Sequence, residues 1–107
     1  MNIAELERNA WKAARLLRAM GNERRLMILC QLEAGEKTVG ELAALVGLSQ
    51  SALSQHLARL RADGLVATRR TARTIHYSLA STDVEALIGV LSGLYCVPAP
   101  GSADDTP

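Results

Sequence analysis

Residues 38–77 constrain the fold more than any other part of the chain, because their elements follow one another in a recognisable order. An amphipathic helix ends at Gly47, a residue suited to the left-handed position that terminates helices. Its apolar residues recur at three- and four-residue spacing and are expected to be buried: Leu42, Leu45 and Val46. Ser49 can cap a second helix, and two β-rich runs follow Gly64. The segment therefore predicts helix, turn, helix and a two-stranded wing.

The second helix of this segment has one apolar stripe and one polar face. The stripe consists of Leu53, Leu57 and Leu60. The polar, uncharged residues of its N-terminal half are Gln50, Ser51, Ser54 and Gln55. A helix that enters a major groove needs short side chains for close approach, and amides or hydroxyls to reach base edges. We therefore predict that these four residues contact DNA.

The wing is basic. Between positions 59 and 77 the chain has five arginines and one acid, Asp63. We expect four of the arginines to bind phosphates, three of them from the R-R-T-A-R turn between the strands: Arg59, Arg69, Arg70 and Arg73. A basic turn by itself is more often a solvated surface. Beside a helix-turn-helix with an uncharged reading face, it favours binding to double-stranded DNA.

Length and composition indicate one small helical domain. The chain has 107 residues, of which 49% are hydrophobic and only 3% aromatic, so aliphatic side chains must fill the core. The net charge is +1, which makes the basic charge local to the wing. We expect residues 1–97 to form the domain and the Pro- and acid-rich residues 98–107 to be a disordered tail.

Three further helices flank the DNA-reading segment. The first spans about residues 4–20, the second starts after Asn22 and ends at Gly35, and the last is capped by Ser81. The expected fold is therefore mainly α with a small β-wing: four helices, two strands and a final helix in a winged helix-turn-helix. The terminal helices are too apolar for the surface of a small monomer, which predicts a homodimer through the first and last helices. The alternative is that they complete a monomeric core.

The N-terminus and the cysteines indicate the compartment. The start M-N-I-A-E-L-E-R carries acids and no apolar run, and no segment is long enough to span a membrane. Two cysteines without a secretory signal argue against a disulfide framework. We expect a cytoplasmic protein with no membrane partner.

Over residues 14–96 the chain resembles the ArsR/SmtB family of winged-helix repressors. Three segments carry the resemblance: M-G-N-E-R-R-L-M-I-L, S-Q-S-A-L-S-Q-H-L-A-R-L-R-A-D-G-L-V and R-x-x-R-x-I-H-Y-S-L. The resemblance implies a dimeric repressor, not an enzyme, that releases its operator when an inducer arrives. Most members sense metals or arsenicals.

The metal ligands of that family are mostly missing from this sequence. Soft-metal sensors carry a Cys-x-Cys pair, whereas Cys30 stands alone in I-L-C-Q-L. Zinc-type members carry Asp and His ligands along the last helix, and here that helix has Asp83 and Glu85 but no histidine. The two histidines, His56 and His76, lie in the reading helix and the wing. We expect neither a metal site nor a cofactor.

Cys30 and Cys96 match the two cysteines of the persulfide-sensing, BigR/SqrR-like branch of the family. The resemblance implies a redox-sensing pair that reactive sulfur species bridge with a polysulfide chain. Peroxide or a thiophilic metalloid such as arsenite is the alternative inducer. Mid-helix and helix C-terminal positions raise a thiol pKa, unless Arg24, Arg25 or residues of the first helix compensate. Two unpaired cysteines can also be a core residue and an incidental thiol.

Functions of other classes fit the residues less well. A winged helix that binds protein predicts apolar or acidic residues on the outer face of the second module helix, where this chain has Gln and Ser. An enzyme predicts a Gly-rich phosphate loop, or a nucleophile near a base, and neither pattern is present in the sequence.

Overall fold

A computed structural model describes residues 1–96, which form five helices and three strands. The helices are α1 (Ile3–Met20), α2 (Glu23–Glu33), α3 (Val39–Val46), α4 (Gln50–Ala62) and α5 (Thr82–Tyr95). The strands are β1 (Lys37–Thr38), β2 (Val66–Thr71) and β3 (Thr74–Leu79). The prediction of a mainly helical winged helix-turn-helix is confirmed. The predicted disordered tail, residues 98–107, lies outside the described residues, as does the predicted domain boundary at residue 97.

The helix starts follow from side chains that satisfy free backbone N–H groups. The Asn22 side chain accepts a hydrogen bond from the Arg25 N–H at 3.0 Å. Ser49 does the same for Ala52 at 3.1 Å. Ser81 caps α5 in this way. Gly47 ends α3 with φ 70°, the left-handed conformation that glycine adopts without strain. These four ends confirm the boundaries predicted from the sequence.

The wing has one strand more than the two predicted. β3 lies between β1 and β2 and is antiparallel to both. In the added strand, Thr38 pairs with His76, which joins the wing to the N-terminus of α3. A strand of two residues is too short to show an alternating pattern, so sequence reasoning missed it. β2 and β3 meet at a tight turn in which Ala72 has φ 54°. Arg69 and Arg70 consequently lie in β2 rather than in the turn.

The core lies where α2, α3, α4 and α5 meet. Its fully buried side chains are Ile28, Leu29, Leu42, Leu53, Leu57, Leu60, Val84 and Ile88. The expectation that Leu45 is buried was wrong, because this side chain is 51% exposed. α3 turns a different stripe inward, formed by Val39, Leu42, Ala43 and Val46. Leu45 lies about 100° of helical rotation away from the middle of that stripe.

α1 and α5 expose apolar side chains. Of the residues of α1, just Ala19 and Met20 are buried. The large hydrophobic residues that the two helices expose are Ile3, Leu6, Trp11, Leu17, Val90, Leu94 and Tyr95. The two terminal helices therefore offer apolar surface that one copy of the chain leaves uncovered.

Within residues 1–96, no helix is both long and apolar enough to cross a membrane.

Candidate nucleic-acid interface and cysteine pair

α4 separates a buried face from an exposed polar face. Leu53, Leu57 and Leu60 are buried. All four of the predicted reading residues are exposed: Gln50, Ser51, Ser54 and Gln55. Among residues 1–96, none of these four side chains forms a hydrogen bond; the nearest side-chain bonds of α4 are those of Ser49 and Arg59. They stand along the first turns of the helix, which is the part that approaches base edges in a major groove.

The three arginines of the wing differ in their surroundings. Arg70 and Arg73 are exposed, and neither forms an ion pair with the part of the chain that the structure describes. Arg69 donates to the carboxylate of Glu36, with Nη2 2.6 Å from Oε1 and Nε 3.1 Å from Oε2. The hydrogen bond from Arg69 holds the pKa of Glu36 below its usual value. Arg70 and Arg73 thus remain the better-placed candidates for phosphate contacts.

Arg59 also has an acidic partner. Its Nε lies 3.0 Å from Oδ2 of Asp63, one turn further along the chain. The other carboxylate oxygen, Oδ1, lies 3.2 Å from Nη2 of Arg15 on α1. The hydrogen bond from Arg59, followed by that from Arg15, keeps the pKa of Asp63 below its usual value. The sequence showed Asp63 as the one acid in the basic segment but did not reveal that it pairs with Arg15, because the two residues lie 48 positions apart.

His76 lies in the wing with both ring nitrogens near polar neighbours. Nε2 is 2.9 Å from Oγ1 of Thr71, and Nδ1 is 3.9 Å from Oε1 of Glu36. His56 is half-buried on α4, well apart in sequence from any other histidine or cysteine. Throughout residues 1–96 there is no group of three His, Cys, Asp or Glu side chains that could hold a metal ion.

Cys30 and Cys96 lie on elements that pack together. Cys30 is half-buried on α2 against the core, and Cys96 is exposed at the C-terminal cap of α5. Desolvation raises the pKa of the Cys30 thiol, and so do the nearby charges of Cys96 and Glu33. The guanidinium of Arg25 lies at the end of α1, where its Nε donates to the carbonyl of Ala19 at 2.7 Å.

The side of α5 that faces away from the core carries small and apolar residues. At about 100° per residue, this outward face consists of Ala86, Gly89, Val90 and Gly93. All four are exposed, and a methyl group built on either glycine meets no atom within 4 Å. Helices with small residues at such positions allow another backbone to approach closely.

This geometry can be compared with known proteins. Residues 22–68 match the family model described as "Bacterial regulatory protein, arsR family". The transcriptional activator HlyU of Vibrio cholerae is 59% identical over 96 residues, which cover 90% of this chain and 89% of HlyU. The chain belongs to the arsR family of bacterial regulatory proteins. Like its relatives in the arsR family, it is a DNA-binding transcriptional regulator and not an enzyme.

Solved structures of arsR-family proteins have the same fold. Reduced HlyU from Vibrio cholerae has a TM-score of 0.83, covering 87% of this chain and 98% of HlyU. The transcriptional repressor BigR from Xylella fastidiosa has a TM-score of 0.85 at 37% identity, covering 92% of this chain and all of BigR. Mb0332 from Mycobacterium bovis, described as a homodimeric winged helix-turn-helix DNA-binding domain, has a TM-score of 0.71 at 34% identity over 78% of this chain and 77% of Mb0332.

Proposed function

We propose that this arsR-family protein is a dimeric repressor that binds its operator while Cys30 and Cys96 are reduced. Reactive sulfur species bridge the two thiols and release the DNA. The observation that carries the proposal is the packing of α2, which holds Cys30, against α5, which ends at Cys96. A dithiol that must stay reduced in the resting state suits the cytoplasm, which we propose as its compartment.

The exposed amides and hydroxyls of α4 support its role as the reading helix. We propose that Gln50, Ser51, Ser54 and Gln55 contact base edges or phosphates. Phosphates are bound by Arg59, Arg70 and Arg73, and by Arg69 once its guanidinium is shared between Glu36 and the DNA. Phosphate contacts position the protein on the duplex, and the helix residues supply the sequence preference.

Assembly as a homodimer through α1 and α5 is supported by their surfaces. The exposed apolar residues of both helices would be buried by a second copy, and the small residues at Gly89 and Gly93 permit close helix packing. The homodimeric domain of Mb0332 has the same winged-helix fold. Two copies present two α4 helices, which can enter successive major grooves.

The proposed sensing chemistry balances with a hydropersulfide, R–S–SH, as the oxidant. A cysteine thiolate attacks the terminal sulfur, the S–S bond of the hydropersulfide breaks, and R–S⁻ leaves with the electron pair. Each cysteine becomes a persulfide in this way. The outer sulfur of one persulfide then attacks Sγ of the other cysteine and displaces its outer sulfur as hydrosulfide, which leaves a trisulfide bridge. Two hydropersulfides are reduced to two thiols, and one hydrogen sulfide is released.

The surroundings of the two cysteines suggest an order for these steps. Cys96 is exposed, whereas Cys30 is half-buried and burial raises its pKa. The thiolate is the reacting form, so a thiol with a raised pKa attacks slowly at neutral pH. We therefore propose that Cys96 takes up sulfur first and that Cys30 completes the bridge.

A bridge between α2 and α5 would act on DNA binding through the helices it joins. α2 packs against α4, the proposed reading helix, and α5 belongs to the proposed dimer interface. Tying them together changes the distance between the two reading helices of a dimer, and half-site spacing depends on that distance. An inducer releases DNA when it stabilises the DNA-incompetent conformation more than the DNA-competent one. We propose that the bridge does so, because it fits the DNA-incompetent conformation better.

Mass spectrometry of the intact protein tests the sensing chemistry. The protein is treated separately with glutathione hydropersulfide, oxidised glutathione, hydrogen peroxide and arsenite. We expect an internal bridge with added sulfur after the first treatment, mapped by digestion to Cys30 and Cys96. A plain disulfide or sulfenic acid formed with peroxide, and no added sulfur with hydropersulfide, would instead support a peroxide sensor. Binding of arsenite alone would support a metalloid sensor.

A further inference from the structure

Asp63 connects the reading helix to α1. It caps the C-terminus of α4 and its side chain is only 12% exposed. Nε of Arg59 donates to one carboxylate oxygen at 3.0 Å. Nε and Nη2 of Arg15 donate to the other oxygen at 3.3 and 3.2 Å. A single carboxylate thus accepts from two guanidinium groups that belong to different helices.

This link matters because α1 has little other attachment near α4. The buried residues of α1 are at its C-terminal end, Ala19 and Met20, where the helix packs against α2. Arg15 lies one turn before them, on the part of the helix whose residues are mostly exposed. A groove of about 700 Å³ separates this part of α1 from the end of α4 and the start of α5. The Arg15–Asp63 pair spans that groove.

We propose that Asp63 is a positioning residue for operator recognition, which fixes the angle of α4 on α1 and aims Arg59 at the phosphate backbone. The inference rests on the proposed dimer, in which α1 is part of the interface between two copies. Nε of Arg59 is held by Asp63, while its two terminal nitrogens have no hydrogen-bond partner among residues 1–96. A guanidinium held at Nε can still present both terminal N–H₂ groups to one phosphate.

The charge of Asp63 makes the proposal easy to separate from simple electrostatics. Removal of an acid beside a DNA-binding surface strengthens attraction to every duplex, because DNA is a polyanion. Loss of a positioning residue instead weakens binding to the operator and leaves binding to other duplexes unweakened. Asp63→Asn keeps the size of the side chain, removes the charge, and therefore distinguishes the two roles. Glu23→Gln is the matched control: Glu23 is exposed on α2 and forms no side-chain hydrogen bond or ion pair within residues 1–96.

The experiment measures binding of the reduced full-length chain to two duplexes. One is the duplex that wild type selects from a random pool, and the other is a scrambled duplex of equal length. For Asp63→Asn we expect the ratio of the two affinities to fall by about tenfold, as for the loss of one charge-assisted hydrogen bond. Glu23→Gln should leave the ratio unchanged. An Asp63→Asn ratio equal to wild type, or a uniform gain on both duplexes, overturns the proposal.

Arg15→Gln tests the link to α1 without changing α4. We expect a loss of selectivity that is no larger than that of Asp63→Asn, which also releases Arg59. The double variant should lose no more than Asp63→Asn alone, because that change already breaks the link to Arg15. Wild type should bind the selected duplex more tightly than one in which the half-sites are moved apart by one base pair. This difference in affinity should be smaller for the variants. Additive losses, or unchanged spacing preference, contradict the positioning role. If wild type selects no duplex at all, the proposed function fails and not this inference alone.

Discussion

Arg69 on β2 and Glu36 in the loop after α2 are joined by two hydrogen bonds, of 2.6 and 3.1 Å. The residues lie 33 positions apart in the chain. Their pairing attaches the wing to the loop that follows the helix of Cys30. It also occupies one of the three wing arginines with an internal partner. The wing is therefore both a basic surface and a part of the fold that is attached to the C-terminal end of α2.

Neutralising a wing arginine should weaken binding to all DNA sequences alike. We expect Arg70→Ala or Arg73→Ala to lower affinity for operator and scrambled duplex by similar factors. The slope of log K against log salt should fall by about 1, because one phosphate contact is lost. Titrations at several salt concentrations measure this slope. Arg69→Ala should change the slope less, since Glu36 already neutralises its charge.

A control separates phosphate contact from net charge. Arg24→Ala removes one positive charge from an exposed position on α2, away from the wing. We expect an unchanged salt slope for this variant. If it lowers the slope as much as Arg70→Ala, then the wing arginines act through overall charge and their assignment as contacts is wrong.

Gln55 should contribute sequence preference and not general affinity. If it forms a bidentate contact with a base, Gln55→Ala loses about 1–3 kcal/mol of discrimination at that base pair. Binding is measured on operator variants with each base pair changed in turn. The wild-type preference at one position should disappear in the variant, while affinity for scrambled duplex stays constant. Equal losses on operator and scrambled duplex would rule out a role in base readout.

Gly93 tests the dimer interface without disturbing the protomer. A side chain at this position has free space within one copy, so Gly93→Leu should fold normally. In the proposed dimer it would keep the α5 helices apart, and operator binding should be lost with the dimer. Ser92→Leu, exposed and about 100° around the helix, is the control. Analytical ultracentrifugation at micromolar concentration decides, and a monomeric wild type would refute the interface.

Asp63 should make stability depend on pH in a defined direction. Its hydrogen bonds from Arg59 and Arg15 lower its pKa in the folded state below the ordinary value of 3.8. The resulting stability is present above that value and is lost as pH falls through the lower, folded-state pKa. Chemical unfolding should show wild type more stable than Asp63→Asn, by about 1 kcal/mol or less between pH 6 and 8, since both arginines are half-exposed. The difference should shrink below pH 3.8; a constant difference down to pH 2 would contradict the pairing.

Local patterns predicted the helices and the wing well. Asn22, Ser49 and Ser81 are caps whose effect is confined to the next turn, so their positions in the sequence sufficed. Leu45 was placed wrongly because α3 has eight residues, and in so short a helix three- and four-residue spacing allows more than one inward stripe.

Contacts between residues far apart in the chain could not be predicted from the sequence. Thr38 with His76, Glu36 with Arg69 and Arg15 with Asp63 each join parts of the chain that only the folded core brings together. None of them leaves a periodic signal. The cysteine pair was predicted by resemblance, and the fold adds the packing of α2, which holds Cys30, against α5, which ends at Cys96.

Release of DNA by the bridged protein tests the central proposal most directly. Fluorescence anisotropy is measured with the selected duplex and four proteins: wild type, Cys30→Ser, Cys96→Ser and the double variant. All four should bind when reduced. After treatment with glutathione hydropersulfide, wild type alone should release the duplex, and dithiothreitol should restore binding, because either single cysteine cannot close a bridge. Release by a single-cysteine variant, or continued binding by treated wild type, would contradict the two-cysteine switch.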